Sequence, residues 1–156
     1  MRRTELSGHR PSLILPALIR EKVCNMESPT DYKQGVDAAG EVFIEIARQK
    51  QWDVEISEQE TAGNPICITM NPQSKESPIV FSGHIDTVYP LGSFPTPAVY
   101  RKDGRMYGPG VIDCKGGVVA VVMAIAGCGI WSLVAQRLLQ MSIKAASFWW
   151  IRRWRS

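Results

Sequence analysis

The chain is 156 residues long, with 45% hydrophobic and 21% charged side chains and a formal net charge of +3. That length suits one compact domain with a core of its own, and the composition is that of a globular protein rather than a disordered or fibrous one. The positive charge does not argue for nucleic acid: residues 1–113 carry 12 basic and 15 acidic side chains, whereas residues 114–156 carry 6 basic and no acidic ones.

Pro11 to Cys24 reads as a first helix, interrupted at Pro16. Its apolar run, Leu13 to Ile19, is broken by that proline and lacks a small-residue cleavage site, so it does not read as a leader. Met26 to Asp31 has turn chemistry. The strongest helical pattern runs from Gln34 to Gln51, where Val36, Ala39, Phe43, Ile46 and Ala47 recur at three- and four-residue steps opposite Glu41, Glu45 and Arg48. Asp53 to Ser57 and Ile66 to Met70 read as strands, and Asn71 to Ser77 as a loop. Ile79 to Ser82 runs apolar into His84, the pattern of a buried central strand. Pro97 to Arg101 and Arg105 to Tyr107 suggest a hairpin turning through Lys102-Asp103-Gly104. Gly116 to Ile125 is an apolar helix. These elements predict an α/β fold with a mixed sheet flanked by helices.

Two segments carry the chemistry. Gly83-His84-Ile85-Asp86-Thr87-Val88 closes the apolar strand. Tyr107-Gly108-Pro109-Gly110-Val111-Ile112-Asp113-Cys114-Lys115-Gly116-Gly117 leads into the apolar helix. Strand alternation makes His84 and Asp86 project the same way while Ile85 turns into the core. Asp86 can then accept a hydrogen bond from one ring nitrogen of His84 while the other holds a metal. Asp113 sits in a Gly/Pro-rich loop that brings a carboxylate close to a bound ion. A phosphate-cradling loop at Tyr107 to Gly110 is excluded by its spacing.

The cysteines, Cys24, Cys67, Cys114 and Cys128, show neither metal-site nor disulfide spacing, which fits a reducing cytoplasm. An ordinary packed thiol is the favoured reading of Cys114, ahead of a third ligand.

Both segments resemble the signatures of zinc-dependent metallopeptidase family twenty, which includes aminoacylase, acetylornithine deacetylase, succinyl-diaminopimelate desuccinylase and glutamate carboxypeptidase. The resemblance covers roughly residues 11 to 126 and is strongest from Ile79 to Ala124. It implies a metal-dependent hydrolase of amide bonds, of the N-acyl amino acid deacylase or carboxypeptidase/dipeptidase type. It implies His84 as a ligand of one metal, Asp113 as a bridge between two, and Asp86 as the catalytic-site carboxylate that orients His84. It also implies a cis peptide bond after Asp113. The implied cofactor is a pair of zinc ions, with cobalt or manganese as alternatives. The implied partners are acyl amino acids or short peptides, with homodimers in complete family members and neither nucleic acid nor membrane expected.

The family pattern continues with an adjacent Glu-Glu pair, another acidic ligand and a distal histidine. The chain has no Glu-Glu dipeptide, no Asp or Glu after Asp113, and only one other histidine, His9. The resemblance therefore predicts a truncated N-terminal part of an α/β/α catalytic domain over residues 1–126, inactive alone. Residues 127–156 read as an atypical Trp/Arg-rich tail holding four of the five tryptophans. Translation out of frame or disorder is the favoured account of that tail. A membrane segment over the uncharged Gly116 to Gln136 and a true variant are the alternatives. The rival to an enzyme is a degenerate, non-enzymatic domain whose basic aromatic tail binds a membrane or partner.

Overall fold

The computed structural model describes residues 14–77, 79–127 and 139–144. Helix α1 spans Ile14–Asn25. Pro16 lies in its first turn, where a missing N–H breaks no intrahelical bond, so the proline does not interrupt the helix as expected. Helix α2 spans Lys33–Gln49 and buries Val36, Ala39, Val42, Phe43, Ile44 and Ala47, the stripe its periodicity predicts. It ends without glycine: Gln51 takes φ +57°. Gln51 N donates to Arg48 O at 3.0 Å and Trp52 N to Ala47 O at 2.9 Å. That pair of bonds is the Schellman ending, and it folds the half-buried Trp52 back onto the core.

Strands β1 (Asp53–Ile56), β2 (Ile66–Met70) and β3 (Ile79–His84) follow. A two-stranded hairpin of β4 (Tyr100–Lys102) and β5 (Arg105–Tyr107) comes next, then helix α3 (Lys115–Gly127) and strand β6 (Leu139–Lys144). The main sheet has the order β1-β2-β6-β3. β1 and β6 both run antiparallel to β2, whereas β3 runs parallel to β6 with Ile79 opposite Leu139 and His84 opposite Lys144. Two parallel strands need a long crossover, and α3 provides it. The sheet is mixed, as the sequence predicts.

Burial alternates along β2: Ile66, Ile68 and Met70 are buried and Cys67 and Thr69 half-buried. One core joins that face to α1 through Val23, to α2 through Phe43, to α3 through Val118, Val119 and Val122, and to Ile143 of β6. The hairpin turns at Asp103 and Gly104, both with positive φ (+50° and +72°), the two-residue turn whose twist matches the flanking strands. Tyr100 and Tyr107 stack across it with ring centroids 5.0 Å apart.

Two expectations change. β3 is not a buried central strand: Val80 is 57% exposed, and among the described residues β3 pairs only with β6. A continuous apolar run marks a strand meant to be covered on both faces, whereas Val80 here stays more than half exposed. Second, the sheet does not stop at residue 126. Leu139–Lys144, inside the segment read as an out-of-frame or disordered tail, forms a strand between β2 and β3. Its backbone pairs on both sides, so the ladder holds it whatever its outward side chains. Gly127 closes α3, and the other tail residues lie outside the described ones.

Candidate metal centre

The site forms where β3 ends and the loop before α3 returns to it. Such a position, outside the carboxyl end of a parallel strand, is where α/β sheets open a crevice. His84 is the last residue of β3. Ile85 is buried at 1% exposure and drives the backbone into the core, while Asp86, also at 1%, turns back beneath the imidazole. His84 Nδ1 lies 3.2 Å from Asp86 Oδ1 and 3.3 Å from the Asp86 carbonyl oxygen. The alternation read from the sequence holds.

His84 Nε2 lies 3.1 Å from Asp113 Oδ1, and the Asp113 side chain is 88% exposed. Each ring nitrogen therefore faces a carboxylate. A neutral imidazole has one N–H and one lone pair, so it can donate to only one of them. At the other nitrogen, a cation would be held by the lone pair and the facing carboxylate together. This donor set, imidazole nitrogen plus carboxylate oxygen with the far nitrogen fixed by a buried carboxylate, fits a divalent metal at the Asp113 side. The Asp113–Cys114 peptide bond is cis, as the resemblance implies.

Three supporting residues carry no special signal in the sequence. Thr30, in the loop between α1 and α2, donates from Oγ1 to Asp86 Oδ2 at 2.6 Å. Ser28 donates from Oγ to Ile85 O at 2.8 Å, and Thr87 N donates to Ser28 O at 2.8 Å. This loop thus clamps both sides of the Ile85-Asp86-Thr87 turn. Lys115 is fully buried and donates from Nζ to Val23 O (3.1 Å) and Met26 O (2.7 Å) at the end of α1. Burial pushes its ammonium down to about 8, against the pull of Cys24 and Asp86. Gly110, at φ +72°, leaves room for the Lys115 stem: a Cβ there would stand 2.8 Å from Lys115 Cδ. A lone lysine at a helix start reads as solvated, and a threonine in a turn reads as turn chemistry. Only the tertiary fold gives either its role.

A cleft of about 330 Å³ opens over the pair, lined by Thr30, His84, Asp86, Tyr89, Tyr107 and Asp113 among others. That volume is at the lower end of the range for small-molecule sites.

Residues 80–129, which hold both segments, match the model of peptidase family M20/M25/M40. Over these residues the chain carries the signature of this family. It is 32% identical over 113 residues to carboxypeptidase G2 of Pseudomonas sp. (strain RS-16), covering 69% of this chain and 26% of that protein. It spans about a quarter of the length of that relative. Three solved structures share the M20 fold seen here. Human carnosine dipeptidase 1 superposes with a TM-score of 0.69 at 15% identity, over 85% of this chain and 32% of that one. The dipeptidase Dug1p of Saccharomyces cerevisiae gives 0.67 at 12% identity, over 85% and 32%. The M20 metallo-carboxypeptidase Sso-CP2 of Sulfolobus solfataricus gives 0.67 at 14%, over 83% and 30%. A second family model, described as polysaccharide biosynthesis protein, matches residues 111–156. The described part of that span is the Asp113 loop, α3 and β6.

Among the described residues no helix is long and apolar enough to cross a membrane. The segment Gly116 to Gln136, weighed as a membrane span, is α3 up to Gly127 and lies outside the described residues beyond it.

Proposed function

We propose that this chain carries the His84–Asp113 half of the divalent-metal centre of an M20 amide hydrolase acting on short peptides or N-acyl amino acids. The carrying observation is that His84 faces Asp86 through one nitrogen and Asp113 through the other, at 3.2 and 3.1 Å. His84 and Asp113 hold the metal. Asp86 fixes the imidazole tautomer so that Nε2 presents its lone pair outward. Thr30 and Ser28 keep Asp86 and its turn from swinging into the cleft. A bound zinc, cobalt or manganese ion supplies Lewis acidity and lowers the pKa of a water toward ~7. The free thiols of Cys24, Cys67 and Cys114 support a reducing, cytoplasmic setting.

The reading is tested by titrating the chain with zinc and measuring bound metal by elemental analysis after dialysis. Stoichiometric zinc that disappears in His84→Ala is the expected result. Zinc retained in full by His84→Ala overturns the assignment.

A further inference from the structure

Lys115 follows Asp113 by two residues and is fully buried. Taking an ammonium out of water costs several kcal/mol, and a methionine would fill much the same space without that penalty. The cost is offset at the carboxyl end of α1, where Nζ donates to Val23 O at 3.1 Å and to Met26 O at 2.7 Å. Carbonyls at the end of a helix lack intrahelical partners and carry partial negative charge, so a cation suits them. The loop before α3 is wrapped closely around the lysine stem. Gly116 N donates to Gly110 O at 3.0 Å, closing the loop at its base. A Cβ on Gly110 would stand 2.8 Å from Lys115 Cδ, and one on Gly116 would run into Val111 O. Within that loop the Asp113 side chain is 88% exposed, so its place is set by the backbone rather than by packing of its own.

The stretch that receives Lys115 also holds the other half of the site. Just past Met26, Ser28 Oγ donates to Ile85 O, and Thr30 Oγ1 donates to Asp86 Oδ2, the carboxylate beneath His84. Residues 23–30 are thus a common reference for His84 and Asp113, which lie 29 residues apart in the chain. We propose that Lys115 is a positioning residue: seated on Val23 O and Met26 O, it sets where the Asp113 carboxylate stands relative to His84. This rests on the reading of His84 and Asp113 as a metal centre. Two other accounts compete, an anchor that only stabilises the fold and an effect of charge alone, and the three differ in sign. A positive charge near the site repels a divalent cation, so charge alone predicts tighter metal binding once it is deleted. Loss of positioning predicts weaker binding. A mere anchor predicts no change in the chain that remains folded.

Lys115→Met keeps most of the stem and deletes the charge. In the full chain, with wild-type circular dichroism, its zinc affinity by equilibrium dialysis should fall ~10-fold or more, the scale of residues that orient ligands from behind. The visible d–d absorption of bound cobalt(II), which reports coordination geometry, should shift as well. Ile68→Val, at a fully buried position in β2, is the stability control and should leave both readings as in wild type. If Lys115→Met does not fold, Lys115→Gln, which keeps a neutral donor, is read in its place with the same expectation. Zinc bound by the folded variant as tightly as by wild type, or more tightly, overturns Lys115 and leaves the metal centre standing; an unshifted cobalt spectrum does the same. Zinc binding that His84→Ala does not weaken overturns the centre itself and Lys115 with it.

Discussion

Thr30 Oγ1 and Asp86 Oδ2 meet at 2.6 Å across 56 residues of chain. Asp86 is the buried carboxylate beneath His84, so a hydroxyl from the α1–α2 loop controls the imidazole at one remove. Thr30→Val keeps the shape and deletes the donor. A buried charged acceptor deprived of a hydrogen bond costs ~1–3 kcal/mol. Urea unfolding should show a loss of that size, and zinc affinity should fall with it. Unchanged values in both measurements would remove Thr30 from the site.

Asp86→Asn should keep metal and weaken it. An amide can still face His84, but it loses the charge that holds the tautomer, an effect of ~10–100-fold on affinity or activity. Equilibrium dialysis against a zinc buffer gives the number. Complete loss of zinc in this variant would make Asp86 a direct ligand.

Phe43 is fully buried where α2 meets the sheet. Phe43→Ala should destabilise the fold by ~3–5 kcal/mol, read from denaturant midpoints. Val88, 88% exposed on the cleft side, is the contrast: Val88→Ala should change stability by no more than ~0.5 kcal/mol.

Cys24 and Cys67 should be slow to alkylate. Burial raises both thiols above their usual value of 9.0, Lys115 partly opposing at Cys24 and the Thr69 hydroxyl at Cys67. Since the thiolate is the nucleophile, a raised pKa leaves less of it at pH 8 than a free peptide cysteine has. Iodoacetamide labelling followed by peptide mass mapping should show both sites lagging glutathione at pH 8 and gaining rate above pH 9. Labelling of either site at the glutathione rate at pH 8 would contradict the burial.

The chain as given should not turn over amides. Among the described residues the carboxylates lining the cleft are Asp86 and Asp113, and both are engaged with His84. A general base is worth ~10²–10⁴-fold in rate, and among the described residues no third carboxylate lines the cleft to supply it. A panel of dipeptides and N-acyl amino acids with added zinc should give no turnover above buffer. Hydrolysis that vanishes in His84→Ala would mean that residues outside the described ones provide the base.

The sequence made local relations legible. Period 3.6 marked the buried stripe of α2, and period 2 placed His84 over Asp86 because both depend only on neighbours along the chain. The Asp103-Gly104 turn announced the hairpin through its need for positive φ. Relations between distant segments stayed hidden. Nothing in Thr30 points 56 residues ahead, and nothing in Lys115 says that its ammonium ends on the carbonyls of α1. β6 was missed for another reason: Leu139-Gln140-Met141-Ser142-Ile143-Lys144 sits in a stretch whose Trp/Arg bias drowned its weak alternation. β3 shows the reverse error, since its apolar run predicted burial and Val80 is more than half exposed.

The hairpin of β4 and β5 lies in sequence between His84 and Asp113, yet its tip stands clear of them: nothing approaches within 4 Å of where a Cβ on Gly104 would be. His84 and Asp113 are therefore separated by a segment that can be lengthened from its far end. A peptide tag spliced between Asp103 and Gly104 would ride on the stacked tyrosines at the hairpin's base, giving a handle for immobilisation or fluorescence that leaves the His84–Asp113 spacing untouched.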